Sequence, residues 1–194
     1  MKNSTHTSRR LKGFTLIELL TVIAIIGILA GILIPVVGGA KKAALRAQTK
    51  AQFGGWAQAL EQYKKEYGYY PDVSGLNGGS KVNVGSNAQD FIRALSAREP
   101  DGDALSDRTL NRKAIAFYSF GQNEQINKLG DYDENGLYDA FGNPDIYVVV
   151  DHDGNGVIER SKLPSGTSDD LKARVAIWTE AGNDPDFEDI KSWD

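Results

Sequence analysis

From Phe14 to Val37 the chain has 24 residues whose only formal charge is the carboxylate of Glu18. At about 1.5 Å per helical residue, such a run crosses a hydrocarbon core of about 30 Å. No other feature limits the possible folds so strongly. The segment before it, Met1 to Gly13, carries Lys2, Arg9, Arg10 and Lys12 and no acid. A basic flank of this kind keeps the N-terminus in the cytoplasm and sends the rest of the chain across the membrane. A secretory signal would follow its apolar region with a small-residue cleavage site. Here "GILIPVVGGAKKAAL" continues as helix-like sequence instead, so cleavage after the run is not expected.

Glu18 needs an explanation. A charged side chain costs roughly 2.5–3.5 kcal/mol at mid-bilayer and less near an end. A snorkelling or protonated acid at the interface is one reading. A cut between Gly13 and Phe14 offers another, because it would create a cationic amine four residues before Glu18 and remove all four leader charges. The amine of one subunit and the carboxylate of a neighbour, about 4 Å apart at an effective dielectric near 20, would attract by about 4 kcal/mol.

A short basic leader, then "GFTLIELL", then an apolar helix with a proline at the twenty-second position after the cut, resembles the type IV prepilin family and its type II secretion pseudopilins. The resemblance implies cleavage between Gly13 and Phe14 by a prepilin peptidase, N-methylation of Phe14, and packing of the helix into a filament core. Glu18 would neutralise the Phe14 amine of an adjacent subunit during assembly, and Pro35 would permit local unwinding there. Gly27 and Gly31 fit a small-xxx-small helix contact, a spacing that also arises by chance.

Beyond Pro35 the helical pattern persists. Ala40, Ala43, Ala44, Ala47 and Ala51 are followed by Phe53, Trp56, Leu60, Tyr63 and Tyr67 at alternating three and four spacing. One long helix is expected, apolar over 14–37 and amphipathic over 38–70, with the aromatic stripe as core and "GYYPDVSG" ending it. Pro35 removes one helical hydrogen bond, which predicts a kink or an unwound turn. Residues 71–194 then form an extracytoplasmic globular domain. Its Gly-, Ser- and Asn-rich stretch from Gly75 to Gly85 reads as a connection, and "NAQDFIRALSA" as a short helix. "AIAFYSF", "DIYVVVD", "GVIE" and "RVAIWT" read as strands. The expected fold class is α+β and pilin-like, a long helix packed on a small antiparallel sheet of three or four strands.

The globular part separates the branches of the family. "ALEQYKKEYGYYPD" resembles the helix end of the major pseudopilin. "YDAFGNPDIYVV" resembles its Asp-x-Trp-Gly-x-Pro turn, with Phe141 in place of tryptophan. "AIWTEAGNDPDFEDIKSW" resembles its C-terminal loop, which ends in Asp-Ile-x-x-Trp. Pilins of surface fibres often close that loop with a disulfide, and this chain has no cysteine. In the major pseudopilins a calcium ion has that part.

Charge is compatible with a cation. Residues 131–194 hold 16 acidic and 5 basic side chains, a balance that repels nucleic acid and anionic headgroups and favours divalent cations or a basic partner. Asp184, Asp186, Glu188 and Asp189 crowd six residues, either as a solvated acidic tail or as a calcium loop. The resemblance favours calcium, chiefly at Asp189 with one or both of Asp184 and Asp186. "DHDGNGVIERSK" places Asp151, Asp153, Asn155 and Glu159 at EF-hand-like positions but ends on Lys162 rather than a bidentate glutamate. A β-hairpin turned by its Asp-Gly and Asn-Gly steps explains it as well. "DYDENGLYD" offers Asp131, Asp133, Asn135 and Asp139 at matching offsets, with the same ambiguity.

An enzyme is not expected: the only histidines are His6 and His152, which leaves no histidine-based triad or zinc site. The resemblance implies a structural subunit of a type II secretion pseudopilus, held in the inner membrane as a single-pass precursor and periplasmic once assembled. Its implied partners are further copies of itself, a prepilin peptidase, minor pseudopilins, an inner-membrane platform with its ATPase, and secreted substrates. The alternatives are a type IV pilin for adhesion, motility or DNA uptake, and a membrane-tethered binding module that never polymerises.

Overall fold

The computed structural model describes residues 14–193, with backbone only at 34–36. The leader, and with it Gly13 on one side of the expected cleavage bond, lies outside the described residues. Helix α1 runs from Leu16 to Tyr67, 52 residues, and the chain divides into two compact units at Ala43/Ala44.

The described part of the first unit is α1 up to Ala43. Among the described residues its apolar side chains are open: Leu16 is 84% exposed, Ile28 66% and Ile32 63%. Monomeric soluble proteins do not leave a surface of this kind open, and the helix is long and apolar enough to cross a membrane. The helix is continuous through position 35, so the unwound turn expected there is not a feature of the isolated chain. Helical hydrogen bonds on either side of the proline are enough to carry the backbone across the one that is missing.

In the second unit the C-terminal half of α1 supplies the core, as its spacing predicted. Phe53, Trp56 and Leu60 are fully buried and Tyr63 nearly so. Trp56 sits among Phe53, Phe91 and Phe120 at ring distances of 6.0, 5.3 and 5.9 Å. Phe91 comes from the short helix α2, Ala88–Ser96, which buries Phe91, Ile92, Ala94 and Leu95. Gly68 ends α1 in the left-handed region (φ 83°), a backbone conformation that glycine adopts without cost.

The sheet has three antiparallel strands in the order β1 (Val82–Asn83), β2 (Ile146–Val150), β3 (Val175–Thr179). Register Val148↔Ile177 puts Ile146, Val148, Val150, Val175 and Ile177 in the main core with α1 and α2. The intervening residues Val149, Ala176 and Trp178 face a second cluster closed by Ile158 and Leu163. Both faces of the sheet are therefore covered, which accounts for strands that are apolar at nearly every position.

The strands differ from the expectation in three places. β1 lies inside the stretch read as a connection, where Val82 pairs with Val148. Ala114–Phe120 is not a strand, because the Phe117 and Tyr118 amides both donate to the Leu95 carbonyl at the end of α2, at 2.8 and 3.0 Å. Its aromatic residues mark core contact rather than a ladder. "GVIE" does not turn back on β2 as a hairpin either. Both edges of β2 are taken by β1 and β3, and Ile158 bridges to Leu171 instead.

Candidate assembly site and the acidic loops

At the head of α1, Thr15 is the N-cap and Glu18 the third helical residue. The Thr15 amide donates to Glu18 Oε2 at 2.8 Å, and the Thr15 hydroxyl donates to the same oxygen at 2.7 Å. The Glu18 amide in turn donates to Thr15 Oγ1 at 3.3 Å. This reciprocal pair is a capping box, which satisfies two of the amides that every helix start leaves without partners. Within one chain, then, Glu18 already has a structural part that the sequence reading missed. The signal was legible: Thr-x-x-Glu directly before an apolar run. Phe14 is 75% exposed beside it.

In the C-terminal loop every carboxylate considered for calcium meets a donor of the chain itself. Lys128 Nζ donates to Asp184 Oδ1 at 2.9 Å and to Oδ2 at 2.7 Å, and it lies 2.8 Å from Asp186 Oδ2. Asp189 Oδ1 accepts from the Ala181 amide at 2.7 Å. Glu188 pairs with Arg46 on α1. Asp184 and then Asp186 hold the Lys128 amine above the ordinary lysine range, and the bond from Lys128 is the main cause that holds Asp184 below the usual carboxylate range. Neither Lys128 nor Arg46 was legible as a partner, since both are remote from the loop in sequence.

The residues of the other two acidic loops also meet donors and acceptors of the chain itself. Asp151 accepts from the amides of Gly154 and Gly156 at 2.9 and 2.8 Å, and both glycines have positive φ, 77° and 79°. Asp153 Oδ2 accepts from Asn155 Nδ2 and Asn155 Oδ1 from the Val157 amide, while Glu159 accepts from Ser161. Asp131 gives its amide to Asn127 Oδ1. Asp133 accepts from the Asn135 amide and the Tyr138 hydroxyl, and Asn135 accepts from Gln89. Asp139 does a different job. Its Oδ1 accepts from the Phe141 and Asn143 amides at 2.8 and 2.9 Å, shaping the turn before β2. It is 1% exposed and its Oδ2 has no hydrogen-bond partner. Burial pushes its carboxyl up to about 6. Calcium takes six to eight oxygens at about 2.3–2.6 Å. Among the described residues no three of these acids converge in a group that could hold a metal ion, so the donor sets as placed do not fit calcium.

The chain matches the prokaryotic N-terminal methylation motif over residues 8–34, the segment that holds Thr15 and Glu18. It is similar to the type II secretion system core protein G of Pectobacterium carotovorum subsp. carotovorum, 37% identical over 64 residues, which are 33% of this chain and 41% of that protein. The protein of the same name from Escherichia coli strain K12 is 37% identical over 63 residues, 32% of this chain and 43% of the relative. That from Aeromonas hydrophila is 38% identical over 63 residues, 32% and 44%. The alignments span less than half the length of these relatives. No solved structure matches the chain.

Proposed function

We propose that this chain is a membrane-anchored precursor that becomes a structural subunit of a type II secretion pseudopilus. One observation carries the reading: the methylation motif stands at the start of a helix that leaves its first half apolar and open and buries its second half in an α+β domain. A helix built this way has an apolar surface for copies of itself. Similarity to core protein G of type II secretion supports the branch.

The chemistry follows from the helix start. Cleavage between Gly13 and Phe14 removes four basic charges and leaves a cationic amine on Phe14, next to the exposed cap at Thr15 and Glu18. In a lipid-like surrounding, the one acid in the run then has an oppositely charged group to meet on the next subunit. At about 4 Å and an effective dielectric near 20 this attraction is about 4 kcal/mol, more than the cost of carrying a carboxylate near the end of a membrane helix. Only a subunit inserted at the right depth satisfies both charges, so the pair sets the register of assembly.

The test is complementation of a strain that lacks the chain. The wild-type gene restores export of folded proteins and yields short filaments on overexpression. Glu18→Ala restores neither while still being inserted and processed. Normal export with Glu18→Ala would instead favour a tethered module that never polymerises.

A further inference from the structure

The acids of the C-terminal loop meet an ammonium group seated by the fold. Lys128 has three N–H donors, and they face three oxygens, both of Asp184 and one of Asp186, at 2.7–2.9 Å. The same ammonium lies 5.2 Å from the centre of the Phe187 ring. Asp184 Oδ1 also accepts from the Asp186 amide at 3.0 Å, so the chain turns tightly at Pro185 and keeps both acids beside the amine.

The backbone of Lys128 is held by its neighbours, which sets where its stem starts. Gly142, at φ 80°, comes so close to the Asn127–Lys128 peptide that a Cβ there would stand 2.4 Å from the Lys128 nitrogen. Asn127 Oδ1 accepts from the Leu129 and Asp131 amides at 2.9 and 3.1 Å and holds the turn from the other side. The turn that Asp139 shapes and the turn that Asn127 shapes therefore meet, and Lys128 projects from the junction onto the loop. Each exposed ion pair alone contributes little. Three acceptors on one amine act together, because ordering the lysine stem once satisfies all three, and the backbone it grows from is already held.

We propose that Lys128 is the resident cation of the C-terminal loop: it joins Asp184 to Asp186 where the acidic sequence invites a divalent ion, so the loop is ordered without calcium. The inference stands apart from the assembly reading, since it concerns only the folded domain.

The experiment is limited proteolysis of the full chain in detergent micelles, with cleavage within residues 180–194 followed by mass spectrometry, in excess chelator and in millimolar calcium. The wild-type loop is cut at the same slow rate in both. Lys128→Met in chelator is cut about tenfold faster, in line with local opening of a loop that has lost its tie, and Lys128→Arg stays close to wild type. Two results overturn the proposal: a wild-type rate that falls about tenfold on adding calcium, or a Lys128→Met loop as resistant as the wild type in chelator. The calcium comparison on the wild-type chain decides the matter even if Lys128→Met does not fold.

Discussion

The one carboxylate of the apolar run serves its own helix start through Thr15, and the assembly contact proposed for Glu18 would use the same atoms. Glu18 Oε2 accepts from the Thr15 amide and hydroxyl, and a cap of this kind typically contributes about 1 kcal/mol to a helix start. Glu18→Gln separates the two parts. The amide oxygen can still accept from the Thr15 amide, but the charge is gone. The variant is expected to be inserted and processed like the wild type and to form no filaments, scored by electron microscopy and by secretion. Filaments at wild-type yield would show that the acid matters for the cap alone. Glu18 was conspicuous in the sequence because charge in an apolar run is rare. Its partner Thr15 was overlooked because a threonine there is unremarkable until the helix start is known. Lys128, 56 residues from Asp184, carries no local signal at all, since its part arises from the contact of Gly142 with the Asn127–Lys128 peptide.

Elements follow the sequence where periodicity is long and fail where it is short. Helix α1 repeats its pattern over many turns, and its aromatic stripe is core as expected. The seven residues of "AIAFYSF" are apolar enough for a strand, but the Phe117 and Tyr118 amides are taken by the Leu95 carbonyl at the end of α2. Two expectations belong at this scale. Trp56 is fully buried among three aromatic rings, so Trp56→Ala should lower the unfolding free energy by about 3–5 kcal/mol in chemical denaturation. Glu124 is buried, accepts from the Tyr118 hydroxyl at 2.7 Å and the Gly121 amide at 3.0 Å, and has its carboxyl raised by burial. A raised carboxylate opposes folding at pH above its folded value, and that cost is relieved as pH falls through the folded value toward about 4.5. Glu124→Gln should therefore be more stable than wild type at pH 8 and lose that advantage on acidification, as thermal melts across pH would show. A constant difference between the two proteins would mean that the carboxylate is not the cause.

At the scale of the whole molecule, the chain joins a membrane-competent helix to a folded α+β domain, and each half accounts for what the other lacks. Among the described residues the apolar half has no partner, and no three acids or histidines are grouped so that they could hold a metal ion. The fold class was legible because the unbroken apolar run gives way after Val37 to a three-four helical pattern that ends at "GYYPD" just past Tyr67. The state of the acidic loops was not, because net charge specifies the need for a counter-ion and not whether an outside ion or a lysine of the chain supplies it. If Phe14 becomes the first residue of the subunit, with a new amine to meet Glu18, intact mass spectrometry of the protein extracted from membranes will find a mass lower by residues 1–13 and higher by one N-methyl group. A mature species that still begins at Met1 would rule this out.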